Sequence, residues 1–194
     1  AAGSFLAFAG VSVSIGTAVT ALKSAIDTAD QLRDASIRLG VGTEALSKWG
    51  YAARQSGTDI ETLAKGLRIL SRNATEALNP NSSQAGLFRA LGVGPDDLRD
   101  LNTLLPKVAD SFKQLEDGPQ KAALAMEMFG KSGADLIEFL NQGSAGLDEY
   151  GNKLEQLGGV VTSETAAAAD EFNDKLADLK QQFAGAGLVL AERL

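Results

Sequence analysis

Apolar residues recur at alternating steps of three and four at both ends of this 194-residue chain. This spacing keeps one stripe of a helix facing a partner, whereas a half-buried strand alternates every two residues. No long stretch alternates in that way, and Val160-Val161-Thr162 is the only notable run of β-branched residues. The sequence therefore predicts an all-α fold, with a compact multi-helix middle domain flanked by long amphipathic helices at both ends.

The two end stripes need partners, because a helix that is apolar along one face must bury that face. The first lies in a predicted helix over residues 1–38 and the second in a predicted helix over 162–194. The partner is either another copy of the chain or the helix at its opposite end. We assign the following stripe residues to self-association: Phe5, Phe8, Ile15, Val19, Leu22, Ile26, Phe172, Leu176, Leu179, Phe183 and Leu190.

The run from Phe5 to Leu22 carries no charge, which raises the alternative of a membrane-active segment. Its length is just sufficient for a span, and neither a basic stretch nor a processing site marks it as a secretory signal. A helix buried against protein partners is the favoured interpretation. Protection of these residues that depends on lipid would favour the membrane instead.

Between the end helices, glycine, proline and helix-capping residues divide residues 39–161 into short segments, which predicts a compact domain of short helices. Three joints share one pattern, in which a helix ends on Leu, a glycine follows and a Val returns to the core. They are Leu39-Gly40-Val41, Leu91-Gly92-Val93 and Leu157-Gly158-Gly159-Val160.

Capping residues place the starts of the short helices. Thr58 and Glu61 form a capping box, and Gly118-Pro119 puts proline at the start of a helix that runs to Phe129. Other predicted N-caps are Thr43, Ser83, Asn102 and Ser132. The aromatic residues at apolar helix positions are predicted to form the core: Trp49, Tyr51, Phe88, Phe112, Phe129 and Phe139.

The chain contains no Cys and no His, which removes disulfides, thiolate metal sites and the usual pairs of nucleophile and base. Lys and Arg total 18 against 25 Asp and Glu, and the net charge of −7 disfavours retention of nucleic acid through its phosphates. The acidic clusters around Asp97 and Asp148 lie in charged stretches, and the first lacks the ligand spacing and the glycine of a calcium loop. We therefore predict a protein that is not an enzyme, uses no cofactor or metal and does not bind nucleic acid sequence-specifically.

Gly130-Lys131-Ser132 resembles the end of a phosphate-binding loop. That motif requires a glycine five residues before Gly130, in a loop after a strand, but Ala125 stands there within a strongly helix-forming run. The structural alternative is that Gly130 ends one helix, Ser132 caps the next, and Lys131 lies near helical carbonyls that favour a cation. We favour the structural interpretation.

Six short motifs follow one another along the chain: Leu39 to Ser47, Tyr51 to Gly57, Phe88 to Val93, Lys107 to Phe112, Phe129 to Ile137 and Glu164 to Asp174. In this order they resemble the helical region of phage tail tape measure proteins, and the resemblance covers about residues 32–180. The fifth motif contains Phe129, Gly130, Lys131, Ser132 and Gly133. Because the chain lacks an initiator Met and a C-terminal helix stop, we expect it to be an internal segment of a longer protein.

The resemblance implies a structural protein that occupies the lumen of the tail tube, sets tail length during assembly and leaves ahead of the DNA at infection. It places the chain in the virion tail, in the host cytoplasm during assembly and in the host envelope during ejection. The implied partners are the chain itself, as a trimer or another homo-oligomer, the tail tube and tail tip proteins, and tail assembly chaperones. In the membrane alternative, the host membrane is a further partner and the chain forms part of a DNA-ejection channel. No family active site carries over.

Overall fold

The computed structural model of the chain describes residues 28–175. All regular elements in this range are helices, which confirms the predicted all-α class. They are α1 (28–39), α2 (Thr43–Gln55), α3 (Ile60–Ala77), α4 (Ser83–Ala90), α5 (Leu101–Gln114), α6 (Pro119–Phe129), α7 (Ile137–Leu140), α8 (Gly143–Gln156) and α9 (163–175). Short 3-10 helices lie at Asp97–Arg99 and Lys131–Leu136.

The chain divides into two compact units, and Asp34–Ser163 forms the larger one. In this middle unit α2 packs on α8, α5 packs on α7 and α8, and α3 packs on α4, α6 and the 3-10 helix that follows α6. The predicted aromatic core is confirmed at five positions, with Tyr51 half-buried and packed edge-to-face against Tyr150 at a centroid distance of 6.3 Å. The five buried aromatic residues are Trp49, Phe88, Phe112, Phe129 and Phe139.

The three predicted Leu-Gly joints close their helices in the same way. Gly40, Gly92 and Gly158 have φ angles of 65°, 71° and 66°. After each glycine, the next backbone N–H donates to a carbonyl five residues earlier, as from Val93 to Phe88 at 3.0 Å. Val41 and Val93 are buried as predicted, whereas Val160 is only half-buried.

Most of the predicted N-caps are wrong by one or two residues. Asp59, not Thr58, caps α3 by accepting a hydrogen bond from the Thr62 N–H at 2.8 Å. Likewise α4 is capped by Ser82 instead of Ser83, and α5 by Asp100 instead of Asn102. Thr43 and Ser132 lie inside their helices and cap neither. The proline start of α6 at Pro119 is confirmed.

The smaller unit contains the described residues 28–33 and 164–175. An ion pair between Arg33 and Asp170 joins its two segments. Buried apolar residues lie on both segments: Ala29, Leu32, Ala166 and Ala169.

Phe172, on α9 of the smaller unit, is the only residue assigned to self-association that lies in the described range, and it is 43% exposed. The other assigned residues and most of the two predicted long end helices lie outside residues 28–175. Within that range, no helix is both long enough and apolar enough to cross a membrane. The uncharged run from Phe5 to Leu22 lies outside it.

Candidate functional site

The fifth motif of the sequence analysis, Phe129 to Ile137, forms the turn after α6. Its first residue, Phe129, ends the helix, and Gly130 follows with a φ of 78°. A Cβ atom on Gly130 would lie 3.3 Å from the Ile69 side chain of α3, so this turn is pressed against α3. Because Gly130-Lys131-Ser132 follows a helix and not a strand, it lacks the setting of a phosphate-binding loop.

Gly133 brings the backbone of this turn into direct contact with α6. Its N–H donates to the Gly130 carbonyl at 2.8 Å, within the 3-10 helix. A Cβ atom on Gly133 would lie only 2.0 Å from the Ala125 carbonyl oxygen. Two backbones thus touch at a position where only glycine leaves room. Of the structural interpretation of this motif, the helix end at Gly130 is confirmed and the cap at Ser132 is wrong.

Asn73 of α3 contacts the end of α6 and was not anticipated from the sequence. Its side chain is buried, and its Nδ2 donates to the carbonyls of Glu127 at 3.0 Å and Met128 at 3.1 Å. These carbonyls belong to the last turn of α6, where intrahelical donors are lacking. In the sequence, Asn73 could have been recognised as a polar residue within the apolar stripe of α3.

We expect Asn73→Ala to lower the free energy of unfolding by about 1–3 kcal/mol, because two carbonyls of α6 lose their donor in a buried place. Urea unfolding followed by far-ultraviolet circular dichroism measures this change. Asn152→Ala, at an exposed position of α8, is the matched control and should change the unfolding free energy by less than about 0.5 kcal/mol. Equal effects of the two substitutions would contradict a structural role for Asn73.

Lys121 is a buried cation in the first turn of α6 that contacts the turn between α5 and α6, and it was not recognised from the sequence. Its Nζ donates to the Leu115 carbonyl at 3.0 Å and to the Asp117 carboxylate at 2.8 Å. The hydrogen bond from Lys121 lowers the pKa of Asp117 below its ordinary value. Both polar partners lie on the same turn, so Lys121 fixes the path of the chain into α6.

The fourth motif contacts both the third and the fifth motif in the middle unit. The Ser111 hydroxyl of the fourth motif donates to the Leu91 carbonyl of the third motif at 2.7 Å. The Phe112 ring of the fourth motif packs edge-to-face on Phe129 of the fifth motif, with centroids 6.2 Å apart. These two contacts join α5 to the end of α4 and to the end of α6.

The first motif contributes to a second cluster of contacts, which lies between α2 and α8 and the residues that follow α8. We call this cluster the α2–α8 seam. Its pairs are Tyr51 with Tyr150, Lys48 with Glu155 at 2.5 Å, Ser47 with Val161 at 3.0 Å and Glu44 with Ser163 at 2.8 Å. As the residue number falls on α2, its partner's number rises, so the two segments run antiparallel.

Glu44 is the titratable group at one end of this seam. Its carboxylate accepts hydrogen bonds from the backbone N–H and the hydroxyl of Ser163. The backbone N–H of Ser163 is the main cause that lowers the pKa of Glu44 below its ordinary value of 4.5. A lowered folded-state pKa stabilises the fold above the unfolded-state pKa, and this stabilisation is lost as the pH falls through the folded-state pKa.

We therefore expect the stability difference between the wild type and Glu44→Gln to be largest near neutral pH and to shrink below about pH 4.5, where Glu44 becomes protonated. Urea unfolding at a series of pH values measures the difference. Glu149→Gln, at an exposed position of α8, is the matched control. A wild-type advantage that does not change with pH would contradict the charged hydrogen bond to Ser163.

An open groove of about 370 Å³ lies on the middle unit. Its polar residues include Arg99 and Asp100, but the Asp100 carboxylate already accepts hydrogen bonds from Asn102 as the cap of α5. Residues 28–175 contain no cluster of three or more carboxylates that could hold a metal ion. Comparisons of the sequence with protein families, with curated proteins and with solved structures find no match.

Proposed function

We propose that this chain is a segment of a phage tail tape measure protein, a structural component and not an enzyme. It occupies the lumen of the tail tube, sets tail length during assembly and is released ahead of the DNA at infection. The observation that carries this proposal is the ordered series of motifs, of which the fourth contacts the third through Ser111 and the fifth through the buried rings of Phe112 and Phe129. Because the resembling residues contact one another, the resemblance supports a folded unit that this chain shares with the family. The function then follows by analogy with the family.

The proposed location is tested on purified virions of the phage or prophage whose tail gene encodes this chain. We expect the chain in intact tails, protected from added protease by the tube wall, and lost from the particles after DNA ejection is triggered. Mass spectrometry of peptides from intact, protease-treated and ejected particles measures both properties. A chain that is absent from virions, or that stays in the tail after ejection, would contradict the proposal.

Self-association is the second part of the proposal, with the chain forming a trimer or another homo-oligomer through its end stripes. The 43% exposed Phe172 supports it, because a large apolar side chain on α9 is left without full cover in a single copy. The tail tube and tail tip proteins and the tail assembly chaperones are the further proposed partners.

We expect the 194-residue chain to have the mass of a trimer or a larger homo-oligomer in solution. Replacing Leu22 and Ile26 together by Asp should dissociate it, because charges in the first stripe prevent its burial. Light scattering gives the absolute mass, and Ser24→Asp, which lies outside that stripe, is the control. A monomer in all three samples would mean that the stripes do not join copies of the chain.

The uncharged run from Phe5 to Leu22 favours a second candidate function, a membrane-active segment of a DNA-ejection channel. Protease digestion of the chain with and without lipid vesicles tests it. If the segment is membrane-active, these residues should be protected from the protease only when vesicles are present. Protection that is equal in both samples would contradict it.

A further inference from the structure

The C-terminal end of the middle unit lies beside the start of α2. The Ser163 N–H donates to the Glu44 carboxylate at 2.8 Å, although 119 positions separate the two residues in sequence. The Val161 N–H donates to the Ser47 hydroxyl oxygen at 3.0 Å. The chain therefore leaves this unit within hydrogen-bond distance of the first turn of α2.

The closure does not depend on one hydrogen bond. Farther along the α2–α8 seam, Lys48 pairs with Glu155 at 2.5 Å, and a Cβ atom on Gly151 would lie 3.1 Å from the aliphatic part of Lys48. The Tyr51 and Tyr150 rings pack edge-to-face at the far end of the seam. Contacts thus follow α2 along most of its length.

This geometry has a direct consequence for length. A continuous helix of 119 residues would be about 180 Å long, at 1.5 Å per residue. In the folded middle unit the same residues begin and end at one hydrogen bond. A closed unit of this kind adds residues to a chain without adding distance between its ends.

We propose that the middle unit stays folded as a closed loop and does not contribute to the length of chain that sets tail length. This inference rests on the proposed function as a tape measure segment. Only residues outside the loop then contribute to tail length, and the loop stays closed along the α2–α8 seam while the tail assembles. The residues of this unit consequently add nothing to the length of the tail.

The first test removes residues 42–161 from the phage gene and joins Val41 to Thr162 through a short Gly-Ser linker. We expect tails of unchanged length by electron microscopy. If the deleted residues were counted as helix, the tails would instead be about 180 Å shorter, since 120 residues are removed at 1.5 Å each. Shortening in proportion to the deleted residues would overturn the inference.

A second test does not depend on the deletion being tolerated. The 194 residues contain no Cys, so Glu44→Cys and Ser163→Cys together give the only pair of thiols in this segment for a short bismaleimide. We expect this pair to be linked within one chain both in the purified protein and in intact virions, with each single Cys variant as a control. A link that forms in the purified protein but not in virions would overturn the closed loop.

The cross-linking of virions also distinguishes failure of the closed loop from failure of the proposed function. If the chain is present in the tail without the link, only the closed loop fails. If the chain is absent from virions while the purified protein still forms the link, it is the proposed function that fails.

Discussion

Replacing Gly133 by Ala is expected to lower the free energy of unfolding by about 3 kcal/mol, the upper end of the usual cost of overpacking, because a side chain alone cannot relieve the clash at this position. The added Cβ would lie 2.0 Å from the Ala125 carbonyl oxygen, 2.3 Å from its carbonyl carbon and 2.8 Å from the Met126 nitrogen. All three atoms belong to the backbone of α6, so the turn must move away from the helix. That movement also disturbs the buried Leu136 and Phe129.

Gly86→Ala is the matched control for this prediction. Gly86 lies inside α4 at an exposed position, and no atom lies within 4 Å of the Cβ it would gain. Because Ala favours a helix over Gly, this change should stabilise the protein by about 0.5–1 kcal/mol. If the backbone contact at Gly133 is real, urea unfolding will show a lower free energy of unfolding for Gly133→Ala and a higher one for Gly86→Ala, each relative to the wild type. A Gly133→Ala protein as stable as the wild type would contradict that contact.

Phe112→Ala is expected to lower the free energy of unfolding by about 3–5 kcal/mol, the usual cost of removing a fully buried aromatic ring. Phe112 is inaccessible to solvent on α5, and its ring packs on that of Phe129 with an interplanar angle of 74°. The substitution therefore opens a cavity between the fourth and fifth motifs. It also removes the edge-to-face contact between the two rings.

Met126→Ala is the control for the aromatic core, since Met126 is 46% exposed on α6. It should change the unfolding free energy by less than about 1 kcal/mol, because little apolar surface is lost from the interior. Thermal and urea unfolding together measure both variants. If Phe112→Ala cost no more than Met126→Ala, the core between α5 and α6 would not be packed as described.

The helical class could be predicted from the sequence because it depends on local patterns. Apolar spacing and the Leu-Gly joints act over a few residues, and the left-handed glycines at Gly40, Gly92 and Gly158 lie where the pattern placed them. Caps were less predictable, because neighbouring residues compete for the same role. Ser82 and Ser83 are chemically identical, and the helix start alone decides which of them caps α4.

The contacts that define the candidate site depend on residues far apart in sequence. Thr58 looked like a cap, but its hydroxyl donates to the Asp135 carbonyl, 77 positions away, and Asp59 caps α3 in its place. No short sequence pattern marks the pairing of Glu44 with Ser163 either, because the two residues are 119 positions apart. Asn73 was detectable in part, since a buried polar residue on an apolar stripe requires a partner, although the pattern does not name that partner.

Tail length as a function of inserted residues tests the central claim most directly. Helical segments of 28 and 56 residues, built from four and eight heptads, are inserted after Lys175, outside the middle unit. Electron microscopy of the virions then measures the tails, which should grow by about 42 Å and about 84 Å, at 1.5 Å per residue. Tails that keep the wild-type length with both insertions would contradict the account of this chain as part of a ruler.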